Sequence, residues 1–179
     1  MVIWIGHVYI CVFLSAFWIC IVNCMTVIPE RALVTYWNPK YVANSTINIR
    51  RYGRKSAYYI NVKSVFLKSW TNNITMELSV KQYLHNEYRD SFVTLKWKFC
   101  DVINNEPYFG RMLKAAGMKC PAPAGVHSYS NMTVRTEDFP NVFPFEKGRG
   151  DVTFSITATG EVVVQGHVEA SFKQKLSGK

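Results

Sequence analysis

The sequence predicts a mainly β chain, an antiparallel sandwich or cup with one short helix. Period-two alternation is the first observation behind this: Ile74, Met76, Leu78 and Val80 alternate with Thr75, Glu77, Ser79 and Lys81. The second is composition, because Tyr, Val, Ile and Phe, which suit a pleated and half-buried surface, gather in such runs. The third is punctuation, since polar turns and Gly- or Pro-bearing stretches separate the runs at short intervals.

The N-terminus stands apart. Residues 1–22 hold no Lys, Arg, Asp or Glu, and the first charged side chain is Glu30. The apolar block Val8–Val22 reads as a secretory signal spanning 1–24, with Val22 and Cys24 at the small-residue positions of a cleavage site. A retained membrane anchor is the alternative, because the segment before the block lacks positive charge. Cleavage would leave residues 25–179, enough for one domain with a core of its own. Three sequons agree with export: Asn44-Ser45-Thr46, Asn73-Ile74-Thr75 and Asn131-Met132-Thr133. Asn73 is the one expected to stay unmodified, since it abuts an alternating run.

Residues 25–45 read as irregular, broken by Pro29 and Pro39, with a short strand at Leu33–Tyr36. Ile47 and Ile49 start a strand that ends in the basic turn Arg50–Lys55, where a solvated turn around Gly53 is favoured over a heparin or nucleic-acid patch. Ala57–Leu67 and Ile74–Val80 are strands, and Tyr83–Asp90 is a polar connection suited to a hairpin or a somewhat longer loop. Val93, Leu95, Trp97 and Phe99 then alternate with Thr94, Lys96, Lys98 and Cys100. A helix is expected over 107–116, started at Asn104-Asn105-Glu106-Pro107 and stopped at Gly117. Tyr129–Arg135 is a further strand, and Phe139–Phe145 is an apolar loop too rich in proline for a central strand. The chain closes with a hairpin, Val152–Thr157 turning at Thr159-Gly160 into Val162–Phe172. About seven or eight strands with one helix give an immunoglobulin-like antiparallel sandwich or cup.

Once the N-terminal segment is removed, Cys100 and Cys120 are the only cysteines, and a lone pair in an exported chain most simply forms one disulfide. It closes a loop of about 20 residues, worth about 3 kcal/mol in the chain-entropy model.

Catalytic signals are missing from the sequence. His7, His85, His127 and His167 have no metal-ligand spacing, no nucleophile elbow or phosphate loop occurs, and Glu137-Asp138 reads as a solvated turn. No metal, no cofactor and no enzymatic role are expected. Arg149-Gly150-Asp151 spells the integrin tripeptide, but the flanking glycines favour a turn leading into a strand. The formal charge of +9 suits an anionic membrane surface, an acidic glycan or an anionic ligand, with solubility alone as an equal alternative. Nucleic acid is not expected as a partner, and a monomer is.

From Cys120 the residues are Cys-Pro-x-Pro-x-Gly-x-x-Ser-Tyr, followed by the Phe-Pro-rich loop, Gly148-x-Gly150 and a hairpin ending Val168-Glu169-Ala170-Ser171-Phe172-Lys173. This resembles the ganglioside activator and its insect relatives, the chemosensory B-type proteins, over roughly residues 74–173. Trp97-Lys98-Phe99-Cys100-Asp101 with the aromatic helix after it is similar to the insect group. The activator has several disulfides where this chain keeps one pair. The resemblance implies an ML-type lipid-recognition cup, a secreted binder or carrier of lipids or small hydrophobic ligands, in chemosensory or pheromone contexts. The competing readings are a fully packed interaction module that binds another extracellular protein or a membrane surface, and a secreted enzyme.

On the carrier reading, Met76, Leu78, Val80, Val93, Leu95, Trp97, Phe99, Phe154, Ile156, Val164 and Val168 line the cavity. Phe109 and Met112 on the helix, with Phe143 and Phe145 on the loop, form its lip.

Overall fold

A computed structural model describes residues 24–54, 56–134 and 145–175 of the 179-residue chain. In chain order the described residues form β1 (Cys24–Trp37), β2 (Val42–Arg51), β3 (Tyr58–Phe66), β4 (Ile74–Leu84), β5 (Glu87–Lys98), α1 (Phe99–Asn105), α2 (Phe109–Ala115), β6 (Gly125–Met132), β7 (Lys147–Ile156) and β8 (Val162–Lys175). The strands make two antiparallel sheets, one of order β1-β8-β7-β4-β5 and a smaller one of order β2-β3-β6. An open sandwich results, as the alternation predicts. The signal segment lies outside the described residues except for Cys24, which pairs with Lys175 at the start of β1.

The two sheets are held together along both sides. On one, the Asn38–Tyr41 turn carries the chain from β1 to β2, with the Tyr41 and Val42 amides both donating to the Asn38 carbonyl at 3.0 Å. Glu161 ties this turn to the β7–β8 hairpin, accepting from the Tyr41 hydroxyl at 2.7 Å and the Lys40 ammonium at 3.3 Å. On the other side, α1 packs against β4 and β5 while α2 packs against β6. The helical pair is therefore a strut between the sheets. The disulfide between Cys100 and Cys120, with Cα atoms 5.3 Å apart, clips that strut to the chain entering β6.

Several elements differ from their sequence expectation, each for a visible reason. Residues 25–37 are a long strand and not an irregular stretch. Pro29 is tolerated because β1 lies at the end of the sheet order and carries register shifts at Pro29/Arg31 and Val34/Tyr36. Of the two readings of Tyr83–Asp90, the hairpin holds: β4 and β5 continue to a two-residue turn at His85 and Asn86, both with positive φ (51° and 67°), the geometry that matches strand twist. The expected single helix is two. Phe99 and Cys100 open α1 where the alternation would continue β5, and Glu106 ends it.

The Glu106 carboxylate then caps α2, accepting from the backbone N–H groups of Tyr108 at 2.9 Å, of Phe109, and of Gly110 at 3.1 Å. The helices cross at Gly110, where a Cβ would collide with the Val102 carbonyl oxygen. Gly117, at φ 85°, stops α2 as expected, and the Met118 amide donates back to the Leu113 carbonyl at 3.0 Å.

Candidate functional site

The side chains between the sheets form two buried clusters with a hollow beside them. The first fills the end near the Asn38–Tyr41 turn and includes Val42, Phe66, Trp70, Ile74, Phe99 and Ile103. Trp70 is its centre. Its ring stacks on Phe66 (centroids 4.1 Å apart, planes 7° apart), meets Phe99 edge-on at 5.3 Å and lies 5.2 Å from Phe154. Its backbone is pinned by two hydrogen bonds to Ala122, just beyond the disulfide. The second cluster joins α2 to the smaller sheet through Ile60, Tyr129 and Met132, with Met112 and Leu113 against them.

The hollow measures about 330 Å³, within the range of small-molecule sites. Its larger wall is the inner face of β4, β7 and β8. The opposite wall is β2, β3 and β6, and Phe99, Val102, Phe109, Met112 and Leu113 close it from the helical side.

Strand register explains why space remains. On the inner face Gly148 sits opposite Ala170, Gly150 opposite Val168, and Val152 opposite Gly166. Each cross-strand pair thus contains a residue with little or no side chain. Gly150 is the open position, where an added Cβ would meet only the Leu78 Cδ1 atom, at 3.1 Å, whereas at Gly148 it would run into Phe145 and the Lys81 carbonyl and at Gly166 into the Leu33 carbonyl. Two residues further along the same face, Phe154 reaches Trp70 and the interior is filled.

Polar groups in the walls are few. Ser45 and Ser64 are buried at directly opposed positions of β2 and β3, and their hydroxyl oxygens are 2.7 Å apart. Ser64 in turn faces His127 across β3 and β6. The Pro123 carbonyl, 2.8 Å from His127 Nε2, can only accept, so Nε2 carries the proton in the neutral ring. Nδ1 then accepts from the Tyr129 hydroxyl at 3.0 Å. Both imidazole nitrogens are engaged, and neither is placed to take a proton from a serine. Burial raises the Tyr129 hydroxyl above the ordinary tyrosine pKa.

Of the residues expected in the cavity, Met76, Leu78, Val80, Phe99, Phe154, Val164 and Val168 line the hollow, as do Phe109 and Met112 from the expected lip. Val93, Leu95, Trp97 and Ile156 do not. Leu95 and Trp97 share a face with Leu78 and Met76, but β5 lies at the end of the sheet order, beyond the cover of the smaller sheet, and Leu95 is 40% exposed. Ile156 packs against the filled end. Phe145 leans edge-on against Phe172, 5.6 Å away, and Phe143 lies outside the described residues. The glycine row of the inner face, the serine pair and Tyr129 were all missed. Gly148, Gly150 and Gly166 recur at even spacing in strands of otherwise large residues, and that spacing was the available signal.

The outer faces differ in charge. The larger sheet carries paired groups: Lys81 lies 3.1 Å from Asp90 and 3.3 Å from Asp151, and Lys147 lies 3.1 Å from Glu30. The Ser171 hydroxyl, then Lys147, hold the Glu30 carboxyl below its ordinary pKa. Arg149 and Asp151 belong to this network, with Arg149 Nε 2.7 Å from the Asp151 carboxylate. The Arg-Gly-Asp tripeptide is therefore inside a strand flanked by β4 and β8, neither a turn nor a loop tip. The smaller sheet holds no Asp or Glu in its three strands, and Arg50 and Lys63 line a polar groove on its outer face with Asn48, Asn61 and Asn131. Asn44 and Asn131 are exposed, whereas the Asn73 side chain is tied into a turn by accepting from the Thr71 amide at 2.9 Å and hydroxyl at 3.1 Å.

Among the described residues, no group of three or more His, Cys, Asp or Glu could hold a metal ion, and no helix is long and apolar enough to cross a membrane. No protein-family model matches the chain, and no curated protein matches it either.

Proposed function

We propose that this chain is a secreted, non-enzymatic binder or carrier of lipids or other small hydrophobic ligands, held between the two sheets. The hollow carries this reading. Left unfilled, a hollow of about 330 Å³ walled by apolar side chains costs those walls packing contacts and keeps apolar surface in water. An apolar occupant recovers the cost, at about 0.8 kcal/mol for each CH₂ it buries.

The resemblance to the insect chemosensory proteins supports a pheromone-like ligand context, and the exposed Asn44 and Asn131 suit glycosylation of an exported chain. The cationic outer face of the smaller sheet fits approach to an anionic membrane surface, from which a lipid could be drawn.

Native mass spectrometry of protein secreted from insect cells, followed by solvent extraction, tests the proposal. Expected is a mass above that of the glycosylated chain, which falls on extraction with recovery of an apolar compound. Protein that carries nothing and takes up no apolar fluorophore would sink the carrier reading and favour the packed interaction module.

A further inference from the structure

Resting on the carrier reading, we infer that Ser45 and Ser64 are the recognition point for a single oxygen function on an otherwise apolar, uncharged ligand: a long-chain ketone, ester or alcohol. Both serines line the hollow and both are more than nine-tenths buried. Their mutual hydrogen bond, at 2.7 Å, consumes one of the pair's two protons. Neither hydroxyl has another partner among the described side chains and backbone groups. One proton and several lone pairs therefore remain in a wall whose neighbours on the same face are Ile47, Val62 and Phe66.

A buried hydroxyl proton without an acceptor is costly, and alanine at both positions would avoid the cost. A carbonyl or hydroxyl oxygen on the ligand would accept that proton. The remaining lone pairs can receive a ligand O–H, so an alcohol also fits. The nearby Tyr129 hydroxyl is committed to His127 and offers no second proton.

Charge selects against a carboxylate. The only ionisable cationic residues that line the hollow among the described residues, Arg149 and His167, do so on strands whose alternation turns their side chains to the outer face. There Arg149 pairs with Asp151, and His167 lies 3.9 Å from Glu169. An ionised headgroup drawn to the serines would lose its hydration, and the imidazole nearest them, His127 opposite Ser64, already has both ring nitrogens engaged by Tyr129 and Pro123. The ordinary cross-strand role of the pair, linking β2 to β3, is the competing account and predicts no ligand preference.

The test exposes the full secreted protein, stripped of lipid, to an equimolar mixture of a linear alkane, the methyl ketone of equal carbon number and the corresponding carboxylate. The pH is held at about 8, well above the pKa of a carboxyl group. Bound compounds are separated with the protein, extracted and quantified. The wild-type ketone-to-alkane ratio is the reference, and the carboxylate should be retained least. In the Ser45→Ala/Ser64→Ala variant that ratio should fall about five- to tenfold, the worth of one neutral hydrogen bond, because the ligand oxygen is then buried without a donor. Should that variant fail to fold, Ser64→Ala alone must still lower the ratio.

A ketone-to-alkane ratio that is the same in wild type and the folded variant overturns the inference and leaves the carrier reading standing. Retention of no compound by wild type overturns both.

Discussion

The two ends of the same strands are built from opposite materials. Near the Asn38–Tyr41 turn, Phe154, Phe66 and Val164 project from the two sheets and close on Trp70, with Val163 and Ile103 almost fully buried. A few residues along, the inner positions become Gly150, Gly148, Gly166 and Ala170. Burial drives the first end shut, and the second lacks the side chains to follow. The filled end can supply the stability that lets the other remain hollow, because two sheets fixed at one end and strutted by helices at the side cannot collapse onto each other.

The sharpest way to break this contrast is Trp70→Ala. Removing the centre of the filled end should cost about 3–5 kcal/mol, seen as a lower denaturant midpoint. A loss under about 1 kcal/mol would show that the aromatic cluster does not anchor the sandwich. Gly150→Phe attacks the other end. Its ring should occupy the hollow, hold stability within about 1 kcal/mol of wild type, and cut uptake of an apolar fluorophore at least tenfold. Strong destabilisation there would mean that the region is packed after all. Leu95→Trp is the smallest test. At an edge position 40% exposed, it should move stability by no more than about 0.5 kcal/mol and leave uptake unaltered, and a lost uptake would put β5 back in the cavity wall.

Strands, hairpins and the disulfide were legible in the sequence because each rests on local chemistry. Alternation marks β4 and β7, Gly160 marks the last turn, and a lone cysteine pair marks the clip. What alternation cannot show is where the opposing sheet stops. Val93, Leu95 and Trp97 have the same pattern as Met76 and Leu78, and only the sheet order separates an edge strand from an inner one. Period two fits Phe99 to a strand until the chain turns helical at that residue, so it meets the hollow from α1 and not from β5. The hollow was legible only as the absence of side chains, and a search for large apolar residues passes over glycines. Ser45 and Ser64 escaped because a serine in a strand is unremarkable until its partner across the sheet is known.

The end strand β5 has a consequence for how copies of the chain meet one another at high concentration. Among the described strands it pairs on one side only, with β4, and it exposes Phe92 to the extent of 87%. A free strand edge with an exposed aromatic invites a second chain to add itself and start a fibril. Here Glu87, Arg89, Asp90, Lys96 and Lys98 crowd that edge, and the register breaks between Ser79 and Lys81, where the Ser91 hydroxyl donates to the Val80 carbonyl at 2.6 Å. Any incoming strand would meet charge along its length and a kink at its middle. The same irregularity that spoils the alternation therefore keeps neighbouring molecules from zipping together.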